Sequence, residues 1–165
     1  VGGKIKDGSG RLVAEQQRAV IGALAARAPG SIAPGLRRIW SDLLLLRTAI
    51  ESSPLCVTVA DMTLADQPLI YVNPAFERIT GYTHDEVVGL NCRFLQGPET
   101  DPAAVQRLRA AIAAGEPGDV TMLNHRRDGS VFRNRVLLQP VRGQAGEVIA
   151  YVGHQLMDGG LTLNG

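Results

Sequence analysis

The chain has 165 residues and a formal net charge of +1, which leaves room for one domain and an extension but not for two full cores. That balance gives no electrostatic reason to expect a nucleic acid or an anionic membrane as partner. Apolar residues, at 45%, suffice for a globular core although aromatics are only 4%, and no stretch is long enough to span a bilayer.

Residues 1–10 are polar and glycine-rich, unlike a secretory leader. The two cysteines, Cys56 and Cys92, have neither metal-ligand spacing nor a disulfide framework. Free thiols without an export signal predict a cytoplasmic protein. Residues 11–27 are alanine-rich, with Leu12, Val13, Val20, Ala23 and Leu24 as apolar positions, and predict a helix that stops at Pro29-Gly30. The stretch 29–35 predicts a linker. Leu36, Ile39, Trp40, Leu43, Leu44, Leu46 and Ile50 then recur at helical spacing, predicting an amphipathic helix to about Glu51. Its stripe needs a partner, either the protein's own core or a second copy.

From Leu55 the pattern changes. Residues 56–60 and 69–72 predict strands joined by a loop that contains Asp61 and Pro68. Asn73-Pro74 opens a short helix and Thr83 with Asp85 another. Asp101-Pro102 starts a helix that runs to Ala114 and stops at Gly115. Three strands follow near 119–126, 131–141 and 147–157. This order predicts an α+β domain on a five-stranded antiparallel sheet.

Between the helices lies the run Gly89-Leu90-Asn91-Cys92-Arg93-Phe94-Leu95-Gln96-Gly97. Read as a short helix, it puts Cys92 and Gln96 on one face, with Arg93 about a quarter turn away. One side of a planar ligand then meets a thiol and an amide while an anionic tail meets Arg93. The plain alternative is a buried cysteine in a surface helix. The run resembles the signature of the LOV (light-oxygen-voltage) domains, the blue-light-sensing branch of the PAS superfamily. The order of elements over 55–158 also resembles a PAS core.

That resemblance implies flavin mononucleotide (FMN) as cofactor and assigns its contacts. Arg93 and Arg109 resemble the phosphate ligands, where two guanidiniums make charge-assisted, bidentate hydrogen bonds. Asn124 and Asn134 resemble the pair that reads the flavin pyrimidine edge, since carboxamides offer both donor and acceptor. Gln155 resembles the glutamine beside flavin N5. Gln96 is expected at the ribityl chain, and Asn91 braces the ring region. By the family's chemistry, blue light excites the flavin, Cys92 sulfur bonds reversibly to C4a, and N5 gains a proton. Gln155 then answers by rotating its amide, and spontaneous rupture restores the dark state.

Strand parity tests whether the two asparagines can meet one ligand. A two-residue turn at Asp128-Gly129 pairs Leu123 with Asn134 and turns Asn124 to the opposite face. A common face demands an even sum of paired numbers, hence an odd or bulged loop. Gly129 supplies the left-handed position that a three-residue loop with a G1 bulge needs. The same parity sends Phe132, Val136 and Leu138 inward and Arg133 and Arg135 outward. On the last strand Ile149, Tyr151, Gly153 and Gln155 share the inner face, and Gly153 leaves space where a ring approaches. Val148, Ala150, Val152 and His154, with Leu123 and Leu137, form a partly apolar outer face, and His154 has no second ligand spaced for a metal.

Two departures from the family pattern stand out. Arg133 occupies the place where the family usually has tryptophan. The tail over 159–165 is too short and glycine-rich for the C-terminal helix that many LOV sensors carry. The expected plan is therefore a helical extension over 1–53, a LOV core over 54–158 and a short tail. Output is expected through the N-terminal helices, with a homodimer through the amphipathic helix and the outer sheet face, and an unidentified downstream signalling partner. No nucleophile–base pair, metal cluster or carboxylate pair marks a turnover enzyme. Two other readings are a flavin redox sensor that works without Cys92, and a PAS interaction module without photochemistry.

Overall fold

The computed structural model describes residues 34–157, with side chains from residue 43 onward. The predicted helix over 11–27 and the tail over 159–165 lie outside the described residues. Helix α1, Pro34–Ser52, begins inside the predicted linker. Proline suits a first helical turn because its fixed φ is helical and its missing N–H has no intrahelical partner there.

The sheet has the order β2-β1-β5-β4-β3, with every neighbouring pair antiparallel. Its strands are β1 (Cys56–Asp61), β2 (Leu69–Val72), β3 (Gly118–His125), β4 (Val131–Arg142) and β5 (Val148–Met157). Sequence-local chemistry sets the helices that cover the inner face. Helix α2, Pro74–Thr80, is capped by Asn73 and closed by left-handed Gly81. Helix α3, His84–Val87, starts at a Thr83/Glu86 capping box. Helix α4, Pro102–Ala114, runs from its Asp101 cap to left-handed Gly115. The inner face and these helices enclose a core in which Cys56, Leu69, Phe76, Val87 and Leu95 are almost fully buried. A second cluster joins Ala104 to Val120 and Met122.

The β3–β4 hairpin has the even register that the asparagines require. Met122 pairs with Asn134 and Asn124 with Phe132. Arg126 N–H donates to Ser130 O (2.9 Å) around a three-residue loop that contains Gly129 at φ 85°. Burial along β3 alternates strictly, while Arg133 and Arg135 point to solvent.

Helix α1 departs from one of the two expected packings. Leu43, Leu44, Leu45 and Leu46 are 55–68% exposed. Four consecutive residues face all sides of a helix, so this segment does not lie on the protein's own sheet. The helix is fastened at its C-terminal end by Asn73, a fully buried residue. Asn73 Oδ1 accepts the N–H groups of Val57 (3.0 Å) and Phe76 (3.1 Å). Its Nδ2 donates to Ile50 O (3.1 Å) and Leu55 O (2.8 Å). One carboxamide thus joins α1, β1 and α2. Among the described residues no helix is long and apolar enough to cross a membrane.

Candidate functional site

A cavity lies between the inner face of the sheet and the helical layer, and all eight predicted site residues line it: Asn91, Cys92, Arg93, Gln96, Arg109, Asn124, Asn134 and Gln155. They come from five parts of the chain, so the fold assembles them. Leu69, Leu95, Leu108, Ile112, Met122, Val136 and Leu138 make the walls largely apolar, which suits a flat hydrophobic ring system.

The strand floor carries three buried carboxamides. Asn134 Nδ2 donates to Asn124 Oδ1 (2.9 Å) and, more loosely, to Gln155 Oε1 (3.4 Å). Asn124 Nδ2 donates to Leu123 O (3.1 Å). Asn134 Oδ1 is buried without any hydrogen-bond partner. An unpaired buried acceptor costs roughly 1–3 kcal/mol, and an N–H on a ligand edge removes that cost. A planar ligand with alternating donors and acceptors therefore fits this floor.

The opposite wall is the segment Cys92–Leu95. It is a 3₁₀ turn rather than the α-helical turn that the sequence suggests. Gln96 is already extended (φ −80°, ψ 148°), so Cys92 and Gln96 do not stack along an α-helical face, although both reach the cavity. The i→i+3 bond from Gln96 N–H to Arg93 O (2.9 Å) closes the turn. Asn91 caps it, accepting Arg93 N–H at 3.0 Å. Burial pushes the Cys92 thiol up to about 12, so at neutral pH it is a neutral S–H. Cys56 belongs to the adjoining apolar cluster and faces Gln155 across the β1–β5 ladder. Its own burial, then the nearby Cys92, push its thiol higher still.

The two arginines sit where the cavity opens. Arg93 projects half-exposed from the 3₁₀ turn and pairs with Asp66. Arg109 projects from α4, is exposed, and with Gln96 and Val105 also lines an adjoining hollow. The loop that carries Gln96 is fastened to β3. Thr100 Oγ1 donates to Leu123 O (2.6 Å), and His125 Nε2 meets Glu99 at 2.7 Å, which holds the Glu99 carboxyl below its usual range.

Three features escape a reading of the sequence. Gly153, which lines the cavity, is also required by its protein neighbours: a Cβ there would lie 2.5 Å from Thr58 Oγ1 and 3.3 Å from Leu138 Cδ2. Thr58 itself adds a hydroxyl to the cavity lining. Asp66 and Gln67 take left-handed backbone (φ 64° and 51°) with no glycine to announce it. Among the described residues no group of histidines, cysteines and carboxylates is arranged to hold a metal.

Comparison with known proteins agrees with this geometry. The family model "PAS domain" matches residues 54–155. A blue-light-activated histidine kinase of Brucella canis is 42% identical over 110 residues, covering 67% of this chain and 22% of the kinase. The chain thus spans less than a quarter of that relative. Among solved structures, the LOV domain of the Erythrobacter litoralis EL346 blue-light activated histidine kinase is 48% identical, with a TM-score of 0.62 over 64% of this chain and 96% of that one. An RNA-binding light-oxygen-voltage receptor gives a TM-score of 0.68 at 44% identity, over 79% of this chain and 36% of that one. With a cysteine, two guanidiniums and three strand carboxamides around one cavity in a PAS core, the chain belongs to the PAS family and, within it, to the LOV domains.

Proposed function

We propose that this chain is a blue-light sensor that holds FMN and answers light through a reversible bond at Cys92. The observation that carries this reading is the meeting of the Cys92 thiol with the unpartnered Asn134 Oδ1, flanked by Asn124 and Gln155, in one apolar-walled cavity. Relatives named as blue-light-activated kinases support it. Asn124, Asn134 and Gln155 hold the polar edge of the ring, Arg93 and Arg109 the phosphate, Gln96 the chain between, and Asn91 fixes the turn that aims Cys92. Bound FMN supplies light absorption and, once excited, an electrophilic ring carbon.

Cys92 starts as a neutral thiol, so the step carries its own proton. Cys92 would supply both the sulfur and the proton for a reversible bond to the excited ring, so no outside acid is needed. Gln155 would answer the newly protonated ring edge by turning its carbonyl towards it, releasing Asn134 Nδ2. Gln155 pairs with Cys56 on β1, and the next residue, Val57, is held by Asn73, which also holds α1. The signal therefore reaches α1 through β1. We assign residues 1–53 to an output extension, 54–158 to the sensor core and 159–165 to a short tail. The chain itself turns over no substrate. The exposed leucines of α1 pair two copies as a homodimer, and the signal passes to a downstream signalling partner.

An absorption spectrum before and after blue light tests the reading. The expected result is a yellow protein that bleaches and recovers in the dark. Colourless protein overturns it, and a dark response to reductant without bleaching selects the redox reading. The phosphate assignment has its own test. Arg109→Ala is expected to weaken FMN by about 1.5–3 kcal/mol, more than roughly ten-fold, while riboflavin binding holds. Equal loss for both flavins means that the arginine only supports the fold.

A further inference from the structure

The mouth of the cavity holds an ion pair that the proposed chemistry does not use. Asp66 and Gln67, in the loop between β1 and β2, are both left-handed without being glycine. Such backbone is costly for residues with a Cβ and persists only where the surroundings fix it. Two side chains flanking Cys92 fix it. Asn91 Nδ2 donates to Asp66 O at 2.6 Å and reaches Gln67 O at 3.4 Å. The Arg93 guanidinium donates to the Asp66 carboxylate. The fold thereby sets a carboxylate against one of the two guanidiniums that line the cavity.

We infer that Asp66 is a specificity-determining residue, whose carboxylate competes with the anionic tail of the ligand for Arg93 and so tunes the preference for a phosphate-bearing flavin over an uncharged one. This rests on the flavin reading above. Arg93 and Arg109 are the charged residues lining the cavity among those described, and Asp66 offsets one of them. A phosphate monoester with roughly −1.5 to −2 charge at neutral pH meets about one net positive charge rather than two. The Arg93 and Asp66 side chains are 50% and 63% exposed. Their pair is therefore screened by solvent and opens at little cost. Two phosphate oxygens engage a guanidinium more strongly and in a fixed fork. The carboxylate that they displace stays nearby, because Asn91 holds its loop, and it remains a like charge beside the phosphate.

Asp66→Asn removes the charge and keeps the shape, and asparagine accepts left-handed backbone as aspartate does. The full chain, freed of flavin, is titrated with FMN and with riboflavin, parent beside variant, at low and high salt. D66N is expected to bind FMN roughly three- to ten-fold more tightly and riboflavin within about two-fold of the parent, with the gain shrinking at high salt. In an Arg93→Ala background, where the competition is gone and only the like charge is relieved, the gain for FMN is expected to be clearly smaller. Unchanged or weaker FMN binding overturns the inference, as does a parallel shift for both flavins. A parent chain that binds neither flavin overturns the flavin reading itself, and this inference with it.

Discussion

Cys92→Ala is expected to keep its flavin, stay yellow and fluorescent, and lose reversible bleaching completely. Cys92 is the thiol that lines the cavity, whereas Cys56 lies behind the lining and is 0% exposed. Burial keeps both thiols protonated, so position decides, and Cys56 does not substitute. Alanine removes one sulfur from a half-buried site, so the ring contacts of Asn124, Asn134 and Gln155 stay in place. The control is Cys56→Ser. A hydroxyl in that apolar cluster is expected to cost about 1–3 kcal/mol of stability, while bleaching and recovery persist. Absorption under repeated light–dark cycles reads both variants. Bleaching with unchanged recovery in Cys92→Ala sinks the assignment of the nucleophile.

The second large effect is expected at α1. Sedimentation of the parent should show a dimer, and Leu43→Asp should give a monomer at the same concentration. Leu43 to Leu46 each leave more than half of their surface exposed in one copy. Fully burying a leucine contributes about 1.5–3 kcal/mol, so two copies that bury one face of the helix, with Leu43 and Leu46 on it, gain several such contributions. A two-fold axis lets the same stripe serve both partners. One aspartate per copy puts two unpaired carboxylates into that contact, which opposes association more than the loss of one leucine. Leu123 and Val141, exposed on the outer sheet face, extend the apolar surface open to the partner. Arg135 sits on the same face in a fork with Asp119 (2.9 and 2.7 Å) and belongs at the rim. Removal of residues 1–33 should leave the dimer intact. A parent that stays monomeric at high concentration, dark and lit, ends the dimer assignment.

What the sequence made legible follows from which signals are local. Asp101, Pro102 and Gly115 mark both ends of α4, because cap and stop chemistry acts within a turn. The hairpin parity followed from asking Asn124 and Asn134 to share a face, with Gly129 able to supply the left-handed position of the loop this needs, and the register has that parity. Non-local determinants were not visible. The turn at Cys92 is 3₁₀ rather than α because it must cap, bend and close within four residues. The left-handed pair Asp66–Gln67 is imposed by Asn91, 24 or 25 positions away in the chain. Gly153 is fixed by Thr58 across the β1–β5 ladder. An amphipathic stripe in α1 shows that a face needs covering but not by what, and two covers were open until the exposure of its leucines removed one.

The joint at Asn73 has a mechanical consequence. Helix α1 contains 19 residues, which at 1.5 Å each make a rod of roughly 28 Å. Asn73 grips this rod near one end, at Ile50 O, and leaves the other end unclamped by that carboxamide. The arrangement is a lever with its fulcrum at the sheet. A tilt of about 5° at the fulcrum sweeps the far end, roughly 24 Å from Ile50, through roughly 2 Å, so a small displacement within β1 becomes a side-chain-sized stroke at the tip.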